Sequence, residues 1–445
     1  MALHAKAKAE AGFRFYALYD KIYREDVLAH AYAQCRSNKG APGVDRQDFA
    51  EVEAYGVQKW LGELALALRQ ESYRPAPIRR VFIPKANGKL RPLGISTLRD
   101  RVCMTAAMLV LEPIFEADLP PEQYAYRAGR NAQQAVIEVE ERLHRGQTDV
   151  VDADLADYFG SIPHADLMLS LARRIVDRRV LHLIRMWLEC AVEETDNRGR
   201  KKRTTEARDS RRGIPQGSPL SPLLSNILLT DWDRELERRG HAFCRYADDC
   251  NIYVRSKAAG ERLLTGMTTF LAKRLKLKVN DAKSACARPW TRKFLGYSLT
   301  VHRQARLRIA RESLKRLTAR VKTLLRQGRG RSLSHTIETL NPVLRGWVNY
   351  FRFTQGKRAL EELDGWLRRR LRCLLWRQAK HRQGRTTMLR RQGLREDRAW
   401  RSAHNGQGPW WNAGALHMRD AFPKRFFDRQ GLVSLLDTQR RLQRS

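Results

Sequence analysis

The sequence predicts an α+β fold followed by an all-α helical bundle. Residues 1–300 combine helix-spaced apolar residues with short apolar runs that are typical of strands. The clearest hairpin signal is Asn87-Gly88, between the runs 80–85 and 90–95, because Asn-Gly favours a tight turn between paired strands. After residue 311 only helical spacing remains, and this favours a small bundle of amphipathic helices.

The predicted elements follow one another along the chain. Helices are expected at 13–75 (with a loop at 38–43), 98–112, 132–145, 163–175 and 258–275. Strands or hairpins are expected at 80–95, 149–155, 243–254 and 293–300. Three bundle helices are expected between 314 and 374, with Pro342 kinking or restarting the second. The basic stretch 198–203 is expected to be a mobile insertion.

Charge points to a polynucleotide partner. The chain has 85 Lys and Arg against 48 Asp and Glu, a formal net charge of +37. Residues 301–445 alone hold 35 basic and 10 acidic residues and six of the ten tryptophans. A surplus of this size attracts polyanions and releases their counterions on binding. The last third is therefore predicted to be the strongest nucleic-acid-binding surface.

The length of 445 residues suggests two or three domains. We expect residues 1–300 to form the first, with an N-terminal extension of about 75 residues, and 301–384 a helical domain. Residues 385–445 are expected to be a basic tail that binds nucleic acid. Apolar runs of about 18 residues are absent, so no membrane span or membrane partner is expected. The seven cysteines lack a C-x-x-C pair, which argues against a zinc site and fits a cytoplasmic, nucleic-acid-associated protein.

The most informative motif is Tyr246-Ala247-Asp248-Asp249, between two short apolar runs. Adjacent carboxylates at a hairpin turn can direct oxygens towards Mg²⁺, which prefers carboxylate and water ligands. Alone, such a pair is more often a solvated turn. Two further features change this reading: Asp154 ends the apolar stretch 149–153, and the run 212–222 (RGIPQGSPLSP) precedes the Asp pair by about thirty residues.

This ordered set resembles the palm of a reverse transcriptase, specifically the group II intron reverse transcriptase/maturase family. The resemblance extends over nearly the whole chain through 38–45, 83–95, 111–115, 154–159, 275–283, 294–297, 344–347 and 366–372. It implies right-hand polymerase fingers and palm, with an antiparallel palm sheet, followed by an all-α thumb/maturase bundle.

The resemblance also implies roles for individual residues. Asp154, Asp248 and Asp249 would be the catalytic carboxylates, and Leu155 would join them at a site for two Mg²⁺ ions. Mn²⁺ is a substitute metal, and no zinc is expected. Nucleotide-binding roles fall on Lys85 and Arg91 (triphosphate), Phe159 (under the sugar, excluding a 2′-hydroxyl), Gln216 (pocket lining) and Lys283 (palm lysine). RNA binding falls on Arg368, Arg369, Arg370 and Arg372, which cannot all be buried.

The sequence departs from the family pattern in three places. Gly160-Ser161 replaces a usual Asp-Asn pair, and 124–130 (YAYRAGR) differs from the commoner Gly-Phe-Arg-Pro-Gly-Arg. Neither change touches a metal ligand, so activity is expected to survive. The last cysteine is Cys373, so we expect the zinc-supported endonuclease domain of many members to be absent and priming to use an existing nick or nascent strand.

Three functions compete. The first is an RNA-directed DNA polymerase that works with its group II intron RNA, assists splicing and supports retrohoming. Its partners would be intron RNA, an RNA template with a DNA primer, dNTPs and target DNA. The second is a related reverse transcriptase recruited to defence or repair. The third is an RNA-binding splicing factor with a dead polymerase, which the intact Asp154, Asp248, Asp249 and Gln216 argue against.

Overall fold

The computed structural model describes residues 2–84, 88, 90–196, 198–301, 305–328 and 330–444. The chain divides into two compact units, Met1–Ala287 and Arg288–Ser445. The first unit mixes helices with two four-stranded sheets. The second is almost entirely helical. The predicted combination of an α+β part and a later helical part is therefore confirmed.

The helices of the first unit form most of its core. They are α1 (Ala2–Ala9), α2 (Tyr19–Ile22), α3 (Glu25–Ser37), α4 (Phe49–Tyr55), α5 (Val57–Arg69), α6 (Leu98–Glu116), α7 (Ala132–His144), α8 (Tyr158–Ser161), α9 (His164–Ala172), α10 (Arg178–Leu188), α11 (Glu206–Ser210), α12 (Ser221–Arg238) and α13 (Lys257–Phe270). A π-helical turn, Leu271–Leu275, continues α13. The two most buried helices are α6 and α12, with twelve buried residues each, so they form the centre of the unit.

One sheet, which we name the hairpin sheet, has the order β2-β1-β4-β5. Its strands are β1 (Ile78–Pro84), β2 (Leu90–Ile95), β4 (Val192–Thr195) and β5 (Lys201–Thr204). The predicted hairpin at 80–95 is the antiparallel pair β1–β2. The predicted mobile insertion at 198–203 is wrong, because β5 pairs with β4. Buried Glu193 accepts ion pairs from Lys201 and Arg203, at 2.9 and 3.0 Å, and fixes this basic segment.

The other sheet, which we name the carboxylate sheet, has the order β6-β7-β3-β8 and is antiparallel throughout. Its strands are β3 (Asp149–Ala153), β6 (Ala242–Tyr246), β7 (Asp249–Val254) and β8 (Ala285–Ala287). Strands β3 and β7 pair from Asp149↔Val254 to Ala153↔Cys250. This register places the C-terminal end of β3 beside the turn that joins β6 to β7.

The second unit opens with the antiparallel strands β9 (Tyr297–Leu299) and β10 (Leu307–Ile309). Its helices are α14 (Arg311–Gln327), α15 (Leu333–Tyr350), α16 (Lys357–Gln378), α17 (Arg382–Arg391), α18 (Glu396–Ala403), α19 (Pro409–Gly414), α20 (Leu416–Ala421), α21 (Lys424–Arg429) and α22 (Leu435–Leu442). Pro342 lies inside α15 without ending it, since buried residues on both sides of it, among them Leu340 and Leu344, hold the helix by packing. Pro113 likewise lies within α6, which runs past the predicted end at 112.

Residues 385–444 are folded onto the bundle rather than extended. The carboxylate of Asp364 on α16 accepts the backbone N–H groups of Leu435 and Leu436 at 2.9 and 3.2 Å, which caps α22. Asn341 on α15 donates to the carbonyl of Gly431 at 2.9 Å and accepts the N–H of Val433 at 3.0 Å. A cap of this kind satisfies otherwise unpaired helix donors, so α22 is tied to two helices of the bundle.

None of the helices in the described ranges is long and apolar enough to cross a bilayer.

Candidate active site

The Asp248-Asp249 pair lies at the tight turn of the β6–β7 hairpin, as predicted. Tyr246 pairs with Asp249, which leaves Ala247 and Asp248 as the turn residues. Ala247 has φ +58, a left-handed conformation that is unfavourable for a residue with a side chain. The surrounding structure must therefore hold this turn in place.

A buried ion pair supports the turn. Arg245 and Asp233 are both 0% exposed, and the guanidinium binds the carboxylate through two contacts of 2.6 and 2.5 Å. The same guanidinium donates to the carbonyl of Ala247 at 2.9 Å. Because Asp233 belongs to α12, the pair connects the turn to one of the two most buried helices of the unit. Sequence reasoning missed both residues, which stand twelve positions apart in the sequence.

Asp154 follows directly after β3 and is held by residues near β8. Its backbone N–H donates to the Ser284 hydroxyl at 2.9 Å, and its carbonyl accepts the N–H of Asn280 at 2.8 Å. Lys283 Nζ donates to Asp154 Oδ2 at 2.7 Å. Lys283, the predicted palm lysine, thus contacts a predicted metal ligand. Leu155 is 3% exposed and bridges to Val279, so its side chain is part of the core.

The three aspartates lie at one end of the carboxylate sheet, where the charge of one affects the pKa of another. Burial raises the pKa of Asp248, and the charge of Asp154 raises it further. The pKa of Asp249 is raised to about 7, first by burial and then by the charges of Asp248, Asp152 and Asp154. The charge of Lys283 opposes both shifts. Carboxylates that are crowded and partly desolvated in this way destabilise one another's charged forms.

This donor set fits a hard divalent cation. It consists of carboxylate oxygens, which Mg²⁺ prefers over nitrogen or sulfur donors, and a positive ion would relieve the repulsion that raises the pKa values of Asp248 and Asp249. Across the described residues, no three His, Cys, Asp or Glu side chains are already gathered as a metal-binding group. The Asp154 carboxylate is instead paired with Lys283.

The predicted nucleotide-binding residues lie in several elements. Arg91 is exposed on β2, and its charge lowers the pKa of Asp248, which brings this cation into the field of the aspartates. Phe159 is half-buried, with its ring 5.4 Å from that of Tyr158. The carbonyl of Gln216 accepts the N–H of Gly94 at 2.7 Å, which joins the 215–217 turn to β2. Lys85 lies outside the described residues.

Gly217 permits the close contact between this turn and β2. Its φ is +110, and a Cβ atom there would lie 2.6 Å from the carbonyl oxygen of Gly94 and 2.9 Å from Leu93 Cδ1. Both the backbone conformation and the space therefore require glycine. The position of Gln216 depends on this contact.

Tyr126 is a further residue in the electrostatic field of the aspartates. Burial raises the pKa of its phenol, and the charge of Asp248 is the next largest cause. It belongs to the 124–130 run, which departs from the family pattern. That departure was the signal in the sequence, but it did not indicate that Tyr126 would lie near Asp248.

Among the four arginines predicted to bind RNA, Arg369, Arg370 and Arg372 have protein partners. Arg372 is 8% exposed and donates to the carbonyl of Phe422 at 2.9 Å. Arg369 donates to the carbonyl of Trp410 at 3.0 Å and lies over its ring at 4.1 Å. Arg370 stacks on Trp366 and Trp410, and Arg368 is half-buried. RNA contact by this set stays a prediction, and for Arg369 and Arg372 the structure gives a direct role in holding α19 and the 421–422 segment.

Two family models match successive parts of the chain. A family model described as reverse transcriptase (RNA-dependent DNA polymerase) matches residues 83–299. A model described as group II intron, maturase-specific domain matches residues 314–393. The first match includes the carboxylate sheet, and the second runs from α14 to the end of α17.

Among curated relatives, protein YkfC of Escherichia coli (strain K12) is 33% identical, over 62% of this chain and 81% of that protein. The group II intron-encoded protein LtrA of Lactococcus lactis subsp. cremoris is 30% identical, over 49% of this chain but only 35% of LtrA. A solved structure titled "Partial Cas6-RT-Cas1--Cas2 complex" is 26% identical over 57% of this chain and 42% of that chain, with a TM-score of 0.34.

The chain therefore carries a reverse transcriptase domain followed by a maturase-specific domain, in the order that the sequence motifs predicted. Together with the 33% identity across most of YkfC, this establishes that the chain belongs to the group II intron reverse transcriptase/maturase family.

Proposed function

We propose that this protein is an RNA-directed DNA polymerase that acts with a group II intron RNA, assists its splicing and supports retrohoming. The observation that carries the proposal is the convergence of Asp154, Asp248 and Asp249 at one end of the carboxylate sheet. Names of curated relatives such as LtrA favour service to an intron over recruitment to defence or repair.

In this proposal the hairpin sheet belongs to the fingers, the carboxylate sheet is the palm, and α14 to α16 form the thumb and maturase region. Asp154 and Asp248 would hold Mg²⁺, with Asp249 and Leu155 at the same site, and Mn²⁺ would substitute. Two bound metal ions would stabilise the attacking and leaving oxygens of phosphoryl transfer. Arg245 would keep Asp248 in position through its contact with Ala247.

The substrates would be an RNA template with a DNA primer and dNTPs. Arg91 would bind the triphosphate, since guanidinium groups pair well with phosphate oxygens, and Lys85 would add a second positive charge. Phe159 would lie under the deoxyribose and exclude a 2′-hydroxyl. Gln216 would line the nucleotide pocket from the turn that Gly217 joins to β2.

Intron RNA and target DNA would bind mainly to the second unit. Residues 301–445 carry 35 basic and 10 acidic residues, and neutralising phosphates with such residues releases counterions. Splicing assistance needs only differential affinity for the folded intron, so it should not require the aspartates.

Primer extension on an RNA template tests the proposal. The purified full chain should extend a DNA primer in Mg²⁺ and stop when the metal is chelated. Asp248→Asn removes one metal-binding charge while keeping side-chain shape, and activity should fall by about 10³-fold or more if the site supplies several kcal/mol of stabilisation. Activity of Asp248→Asn within about tenfold of the unaltered chain would show that the polymerase assignment is wrong.

A further inference from the structure

Exposed tryptophans are concentrated near the end of the second unit. Trp400 on α18 is 54% exposed, and Trp410 and Trp411 on α19 are 37% and 52% exposed. The position of the Trp410 ring is explained by its contacts with Arg369 and Arg370 of α16. Trp400 and Trp411 are not part of the core, and tryptophan is enriched at surfaces that meet a partner.

Trp400 presents one open face. The imidazole of His404, one helical turn later, stacks on the indole with ring centroids 4.3 Å apart and planes at 19°. His404 Nδ1 lies 2.8 Å from the carbonyl of Trp400, so it donates there and the imidazole is fixed in place. Because one face of the indole is covered and more than half of the residue is still exposed, the opposite face is open to solvent.

A hydrogen-bonded loop connects Trp400 to Trp411. Asn412 is fully buried and donates to the carbonyl of Gln407 at 2.8 Å. Its side-chain oxygen accepts from Asn405 Nδ2 at 2.7 Å. Asn405 follows His404 and Asn412 follows Trp411, so this amide pair ties together the loop ends that carry the two aromatic groups. The backbone that carries the two exposed rings is thus held in place before any partner binds, which lowers the entropic cost of binding.

The charge of residues 385–445 indicates the chemical class of the partner. Residues 385–445 contain 13 Lys and Arg and 5 Asp and Glu, so the rings lie in a positively charged segment that favours a polyanion. Flat aromatic rings beside positive charge bind unpaired bases by stacking, whereas paired bases in a duplex keep their faces covered. We propose that Trp400 and Trp411 form a stacking platform for unpaired RNA bases. The choice of RNA over DNA as the partner rests on the proposed function.

Photo-crosslinking of the full chain tests this inference. The probe is a short, unstructured oligouridine RNA carrying 5-bromouridine, and cross-linked residues are mapped by mass spectrometry. We expect cross-links at Trp400 and Trp411. Trp400→Ala combined with Trp411→Ala should remove them and weaken binding of the single strand about tenfold or more, the effect of losing base–aromatic stacking. The slope of log Kd against log salt should not change, because no phosphate contact is removed.

Two variants control for disturbed folding. Trp400→Phe keeps a stacking ring and should retain most of the affinity. Leu416→Ala removes a 64% exposed apolar side chain from the neighbouring helix and should leave binding unchanged. The proposal would be wrong if the double alanine variant bound the single strand within about twofold of the unaltered chain. It would also be wrong if the variant lost as much affinity for duplex RNA as for the single strand. Primer extension is a separate readout, so failure of the platform is distinguishable from failure of the polymerase assignment.

Discussion

The buried Arg245–Asp233 pair gives the sharpest prediction about stability. Both side chains are 0% exposed, and two short contacts join them. Asp233→Asn keeps the shape of the side chain but leaves a positive guanidinium in the interior without its counter-charge. Breaking a buried ion pair by removing one partner costs about 3–5 kcal/mol. For a unit of this size that loss lowers the melting temperature by about 10 °C.

Calorimetry of the full chain measures this change. The matched control is Asp231→Asn, on the same helix: Asp231 pairs with Arg173, and the two side chains are 18% and 43% exposed, so this pair keeps contact with solvent. A pair that contacts solvent contributes at most about 1 kcal/mol, so the control should melt within a few degrees of the unaltered chain. If Asp233→Asn lost no more stability than Asp231→Asn, the pair would not be the support of the Asp248 turn that we describe.

A second set of variants separates stability from positioning. Replacing both partners, as Asp233→Leu with Arg245→Met, removes the unpaired charge and should restore much of the stability, since apolar residues of similar volume can replace a buried pair. DNA synthesis should stay low, because the donation from Arg245 to the Ala247 carbonyl is lost. Full DNA synthesis activity in this double variant would mean that the Asp248 turn keeps its conformation without Arg245.

Three further predictions concern other elements. Gly217→Ala should lower the free energy of unfolding by about 1–3 kcal/mol and raise the KM for dNTPs, because the added Cβ meets the Gly94 carbonyl. The control is Gly62→Ala, where a Cβ meets nothing within 4 Å. In chemical denaturation this control should be neutral or stabilising. Phe159→Val should increase ribonucleotide incorporation relative to deoxyribonucleotide in single-nucleotide extension, and unchanged selectivity would favour a packing role. Asp364→Ala should cost about 2 kcal/mol through loss of a helix cap and speed hydrogen exchange in α22; unchanged exchange there would contradict the capping role.

Local patterns predicted the elements that bear the candidate site. The hairpin strands at 80–95, the strand before Asp154 and the turn at Asp248 each depend on neighbours in sequence, and all three strand pairings are present, whereas Asn87 lies outside the described residues. The order of motifs then suggested which residues would meet. Contacts between distant residues were not predictable in this way: nothing in the sequence indicated that Arg245 would bind Asp233 or that Tyr126 would lie near Asp248.

Which arginines of the run 366–372 face inward could also not be predicted from the sequence. The run 366–372 contains four arginines within two helical turns, so some must face inward whichever face is buried. Which ones do so depends on residues 409–427, whose helices pack on α16 and accept Arg369 and Arg372. The basic segment 198–203 was mistaken for a mobile insertion because Glu193, the partner of Lys201 and Arg203, lies across a hairpin that periodicity does not reveal.

We propose that one chain performs two functions with different residues: DNA synthesis with the aspartates of the first unit and splicing assistance with the basic helices of the second. A crossed experiment tests it, with primer extension and splicing of the cognate intron measured for two variants. One is Asp248→Asn. The other replaces exposed basic residues of α14 with glutamine, namely Lys315, Arg320, Lys322 and Arg326.

We predict that Asp248→Asn abolishes synthesis and keeps splicing within about twofold, because RNA binding by the second unit needs no carboxylate. The α14 variant should lose about tenfold or more in splicing and show a shallower salt dependence of RNA binding, while synthesis on a short primer largely persists. Equal loss of both activities in both variants would contradict the division of labour.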